Sequence, residues 1–269
     1  MNYDSCLKKA ITIFNGRMGT DFSSDKLILT CFMTEDQKEI FEQFCSKYFP
    51  YRLNDRYQEE GYFDFKASSF IGMNNGGIDG ILLRTDISYQ PGELLHIFLH
   101  ELAHIFCAHN ELDGKNFFDE YCVDYAPTKE EDGIINAGYA VWRECIAEII
   151  AIELDDSCDI VSLKEKEEVL RRLRSEVEPV DGKLLVSEIL TVVMTSTEVE
   201  SSQRWEEAEK AIQSLSLFEV PEMDLFRLVY AQLRATLIEI NVDFIHELGY
   251  LYLNILSLAA IRSFRRDQF

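Results

Sequence analysis

The chain has 269 residues, 47% hydrophobic and 12% aromatic, with 48 acidic against 26 basic side chains and a formal charge of −22. That is a globular composition with material for a real core, long enough for one large domain or two small ones. The charge excludes a phosphate-binding surface of clustered Lys and Arg, hence a nucleic-acid partner, and argues against adsorption on an anionic membrane. The seven cysteines (Cys6, Cys31, Cys45, Cys107, Cys122, Cys145, Cys158) are odd in number, and none stands in C-x-x-C spacing. Several lie in apolar runs, the pattern of reduced, buried thiols. The first residues offer no signal-peptide core, and no apolar run is long enough to span a membrane. The expected location is the cytoplasm.

In chain order, residues 4–16 suit a short helix, and Lys26 to Met33 reads as a buried strand. Thr34-Glu35-Asp36-Gln37 is a capping-box sequence followed by Ile40, Phe41, Phe44 and Tyr48 at helical spacing, which predicts a helix over 35–48 ending at Pro50. Residues 60–90 read as strands and turns. Tyr62 to Phe65 is β-prone, Asn74-Asn75-Gly76-Gly77 is a turn cluster, and Gly80 to Thr85 is a strand. Pro91 suits the first turn of a helix over 91–109. Asp113 to Asp132 reads as a loop, and Ile134 to Leu154 as a second long helix with an apolar body. Asp155-Asp156-Ser157 breaks that pattern. Beyond it, Ser162 to Glu165 is another capping-box sequence, and helical stretches follow at 183–196, 203–216, 222–240 and 242–265. The expected organisation is an α+β domain over 1–155, followed by an all-α region over 156–269.

The first long apolar helix contains His100-Glu101-Leu102-Ala103-His104. In this H-E-x-x-H pattern the two histidines, four apart, share a helix face and can address one cation. Glu101 stands beside them, where a carboxylate can take a proton from a metal-activated water. Two histidines do not complete a catalytic zinc site, which usually has three protein ligands and one open position. The H-E-x-x-H-x-x-G-x-x-H pattern needs Gly at 107 and His at 110; the residues here are Cys107 and Asn110. The better source is the second helix, where Glu144 and Glu148 stand one turn apart on an otherwise apolar body. Burying both without partners would be costly. Glu144 is assigned as third ligand and Glu148 as its neighbour, accepting a hydrogen bond from a ligand histidine, with the two roles exchangeable. His96, one turn before His100, is either a fourth ligand or a satisfied histidine. His246-Glu247-Leu248-Gly249-Tyr250 imitates the motif without its second histidine and reads as packing.

H-E-x-x-H followed on a later helix by E-x-x-A-E resembles the gluzincin branch of the zincin metallopeptidases, and in particular the ImmA/IrrE-type regulatory peptidases and the zincin-like domain of ArdC-type antirestriction proteins. The match lies at His100, Glu101, His104, Glu144, Ala147 and Glu148, within about residues 60–155. The resemblance implies a zincin-like fold, a small mixed sheet with an edge strand beside the active-site helix, and Zn²⁺ as cofactor. It implies that Glu144 binds the metal, Glu148 supports a ligand and Ala147 lets the helices approach. Gly80 to Thr85 would then be the edge strand that receives an extended peptide.

The activity implied is zinc-dependent peptide-bond hydrolysis of a protein or peptide substrate, with Glu101 as general base. Tyr139 is the first candidate for the oxyanion donor, with Tyr121 and Tyr125 as others. The rival readings are a zincin-fold binding or regulatory protein with little or no activity, and a purely structural metal site. The donor set also suits Mn²⁺, Fe²⁺ or Co²⁺. The helical region 156–269 offers a lid, a dimer contact or a partner platform.

Overall fold

The computed structural model describes residues 2–72, 77–89, 92–114, 117–121, 128–155, 240–250 and 253. It is a mixed α/β structure with a small three-stranded mixed sheet. The described residues fall into two compact units, one running to Glu111 and including the chain from Ile150, the other comprising Leu112–Ile149 and the stretch from 240.

In the first unit, α1 spans Tyr3–Met18. The Asn2 side chain accepts the Ser5 N–H at its start, and Gly19 closes it with φ 67°. Strand β1 is Leu27–Phe32. Only its two ends are buried, so it is not the fully buried strand expected there. Helix α2 is Gln37–Tyr48, and the predicted capping box at its start does not form. The Thr34 hydroxyl instead accepts from Arg84 (2.6 Å) and donates to Asp86 (2.5 Å), tying the chain after β1 to the chain after β3. Two short 3₁₀ turns, Pro50–Arg52 and Asp55–Gln58, lead to β2, Ala67–Phe70, then β3, Asp79–Arg84. The aromatic stretch Tyr62 to Phe65 is turn and irregular chain, not strand.

Sheet order is β1-β3-β2, with β3 parallel to β1 and antiparallel to β2. Gly80–Arg84 is therefore the central strand, which overturns its reading as the edge. The physical reason is visible in its composition. Ile81, Leu82 and Leu83 are all at most 1% exposed, so both faces are covered, as befits an inner strand. The antiparallel edge is β2.

One face of β3 meets α2. Leu82 joins Phe32, Phe41, Phe44, Phe49, Phe63 and Phe70 in an aromatic cluster built around α2. Gly80 points the same way, and a side chain there would stand 2.5 Å from the Phe44 ring. Helix α3, Glu93–His109, packs on α1 and β2. The β2–β3 pair is pinned along α3 at both ends. Lys66 pairs with Glu93 at 2.5 Å where the helix begins, and Asp79 meets His109 at 3.3 Å where it ends. The lengths agree: 17 helical residues rise about 25 Å, and the extended chain from Lys66 to Gly72 covers about 20 Å.

In the second unit, Phe117–Tyr121 forms a π-helical turn, and α4, Lys129–Leu154, belongs to this unit as far as Ile149. The helix starts five residues before the apolar pattern does, so the expected loop to Asp132 is shorter than predicted. Thr128 and Glu131 supply the reason. The Thr128 hydroxyl accepts the Glu131 N–H (3.3 Å), and the Glu131 carboxylate accepts the Thr128 N–H (2.8 Å), a reciprocal capping box. Residues 242–250 are helical and form the described part of α5. They cross α4 at two glycines. A Cβ on Gly138 would stand 1.9 Å from the Ile245 carbonyl oxygen, and one on Gly249 would stand 1.9 Å from that of Ile134. The helices expected at 183–196, 203–216 and 222–240, and all but the start of 242–265, lie outside the described residues.

Among the described residues no helix is long and apolar enough to cross a membrane. The described cysteines Cys6, Cys31, Cys45, Cys107 and Cys145 are all free thiols.

Candidate metal centre

The sequence of α3 places its polar stripe by helical arithmetic. Leu94, Leu95, Phe98, Leu99, Leu102, Ala103 and Ile105 are buried, whereas His96, His100 and His104 are half-buried along one line. His100 and His104 turn their Nε2 atoms toward each other at 3.1 Å, with ring centroids 4.7 Å apart and planes at 85°. Two nitrogens bound to one zinc at tetrahedral angles stand about 3.3 Å apart, given bonds near 2.05 Å. The observed pair fits that span. The same distance suits an N–H···N hydrogen bond in the metal-free protein, one ring donating and the other accepting.

Glu101 is 7% exposed, one of only three charged residues buried among those described. Burying a carboxylate is costly unless something repays it. The other two, Asp79 and Asp155, each face a histidine. His96 lies with Nδ1 3.8 Å from Asp155 Oδ2, an ion-pair separation and too long for a hydrogen bond.

On α4, Glu144 and Glu148 are half-buried, between buried Cys145, Ile146, Ala147 and Ile149. Both carboxylates act on the Cys145 thiol: burial chiefly, then Glu144 and Glu148, push its pKa far above the ordinary value. Arg143 donates to Glu144 Oε1 at 2.7 Å. Of the expected ligands, His100 and His104 converge within the first unit, and Glu144 lies in the second. Two imidazoles and a carboxylate are a donor set that suits a zinc ion with one open position.

Tyr139 is engaged elsewhere. Its hydroxyl donates to the Leu112 carbonyl at 2.9 Å, and its ring stacks on Phe117 (4.7 Å, 12°) and on Trp142 (5.7 Å, 29°). A hydroxyl so held would have to break that bond to meet an oxyanion. Tyr125 and the side chain of Tyr121 lie outside the described residues. His246 stacks edge-on against Tyr250, one turn on, at 4.8 Å.

No family model matches the chain, and no curated protein or solved structure matches it.

Proposed function

We propose that the chain is a zinc-dependent metallopeptidase of the gluzincin type, acting on protein or peptide substrates. The carrying observation is the convergence of the His100 and His104 Nε2 atoms at 3.1 Å on one face of α3. His100, His104 and Glu144 would hold the ion, and Glu148 would steady one of the ligand imidazoles. The bound metal supplies an acidified water and a polarised scissile carbonyl. Glu101 takes a proton at its carboxylate and returns it to the leaving amine, so the base of one step becomes the acid of the next. Its burial suits that task, because a carboxylate sheltered from bulk water exchanges its proton with the reacting atoms. Strand β2, the antiparallel edge laid along α3, takes over the peptide-binding role expected of Gly80 to Thr85. An extended substrate added there would run beside the helix that carries both histidines.

Elemental analysis tests the reading. Purified protein, reconstituted with zinc, should hold about one equivalent, as expected for a single three-ligand site. His104→Ala and Glu144→Ala should lose it, and Glu101→Gln should keep it while losing cleavage of an unstructured protein such as casein. Zinc kept in Glu144→Ala would move the third ligand to Glu148 or His96. No metal in wild type after reconstitution would refute the hydrolase and leave a binding protein.

A further inference from the structure

At the C-terminal end of α3, Asp79 is 4% exposed and is held in three directions. Its N–H donates to the Lys26 carbonyl at 2.8 Å, where β1 begins. Its Oδ1 accepts the Gly72 N–H at 2.8 Å, where β2 ends, and the same oxygen lies 3.3 Å from His109 Nε2. His109 is the last residue of α3, where the unpaired helix carbonyls favour a cation. The Phe22 ring lies over it, with centroids 6.1 Å apart.

We propose that His109 and Asp79 form a proton-operated clasp, which fastens the β2–β3 hairpin to the end of α3 when the imidazole is charged and loosens when it is neutral. Its outer surface lets it respond to bulk pH, because the His109 side chain is 43% exposed while Asp79 is buried. The groups facing it are Asp79 on β3 and Asp21 between α1 and β1, with Tyr51 acting on Asp79 from the turn after α2. The hydrogen bond to Asp79 raises the proton affinity of His109 above the ordinary imidazole value; partial burial opposes this, and Asp21 adds to it.

The sign follows. A group whose folded pKa is raised contributes stability that is complete below its unfolded value and is lost as pH rises through the folded one. The clasp is therefore closed in mild acid and loosens through and above the titration of His109. The other attachment, the Lys66–Glu93 pair, stands at the opposite end of β2 from Gly72, so movement is concentrated at Gly72. None of this depends on the metal reading, since the clasp uses neither His100 nor His104.

The test uses the full chain. The five histidine signals are titrated by NMR, with His109 identified by its loss in His109→Gln. Hydrogen exchange of a peptide covering Phe70 to Leu82 is followed over the same pH range, corrected for intrinsic rates. The His109 midpoint should lie above 6.5, fall in Asp79→Asn, and fall less in Asp21→Asn. Protection at Gly72 should drop across that midpoint, by up to about tenfold for each pH unit separating it from 6.5. His109→Gln should erase the step, which keeps the test open should Asp79→Asn fail to fold. A midpoint at or below 6.5, or protection indifferent to it, would overturn the clasp.

Discussion

Gly133 and Gly138 lie on the same helix, and the same alanine substitution should act on them with opposite sign. Around Gly133 nothing lies within 4 Å of a new Cβ. Alanine there gains helix propensity and restricts the unfolded chain, for a stabilisation of about 0.5–1 kcal/mol. At Gly138 the new Cβ would stand 1.9 Å from the Ile245 carbonyl oxygen and 2.8 Å from the Gly249 nitrogen. Both are main-chain atoms that no rotamer change can move. Restoring ordinary contact near 3.4 Å requires α4 and α5 to part by roughly 1.5 Å, which forfeits more than half the dispersion energy of the contacts around the crossing. Overpacking of this kind typically costs about 1–3 kcal/mol, and the propensity gain offsets only part of it. In a Trp205→Phe background, urea unfolding followed by tryptophan fluorescence reads the effect locally, because Trp142 is 1% exposed and one turn from Gly138. Gly138→Ala should lower the midpoint and Gly133→Ala should raise it. Because Gly249→Ala would force the same separation, the double variant should lose less than the sum of the singles. A Gly138→Ala protein as stable as wild type would refute the close crossing.

The thiols should divide by environment. Cys31 is exposed and, among the described cysteines, should react first with a thiol reagent at neutral pH. Burial pushes Cys45 up to about 12 and Cys145 higher still, so both should stay silent until the protein unfolds. Gly80→Ala should destabilise the first unit by about 1–3 kcal/mol, since its Cβ would meet the Phe44 ring at 2.5 Å and the Phe49 ring at 2.9 Å in a filled aromatic layer. Thermal melting checks it, and an unchanged midpoint would mean that the rings rearrange freely.

Signals confined to one helix were legible in the sequence. The three-to-four spacing of Phe98, Leu99, Leu102 and Ile105 gives α3, and the motif on its other stripe follows without further information. The start of α4 was legible too, in Thr128 and Glu131, but the reading followed apolar periodicity, which the polar turn Lys129 to Asp132 lacks. Thr34 shows the converse. A sound local capping sequence yields to a non-local competitor, because Arg84 and Asp86, some fifty residues away, capture its hydroxyl. Strand order is harder still. Nothing within Gly80 to Thr85 names its neighbours, although the unbroken Ile81-Leu82-Leu83 run pointed to an inner strand. The His109–Asp79 contact joins residues thirty apart, and no local pattern announces it.

The placement of β3 between its neighbours also orders the assembly of the sheet. β1 and β2 never touch, so when a growing chain has been made only as far as Phe70, neither strand has a partner. β2 and β3 can close as a hairpin from adjacent sequence. β1 must then return across about fifty residues to pair in parallel, with Leu27 opposite Asp79 and Phe32 opposite Arg84. Closing that long loop carries an entropic cost before any ladder bond forms, which makes it the slow step expected for non-local strand pairing. Until it is taken, the apolar edge of Ile81, Leu82 and Leu83 is open to any other strand. During synthesis, then, the hairpin rather than α3 is where the described part of this chain is open to aggregation.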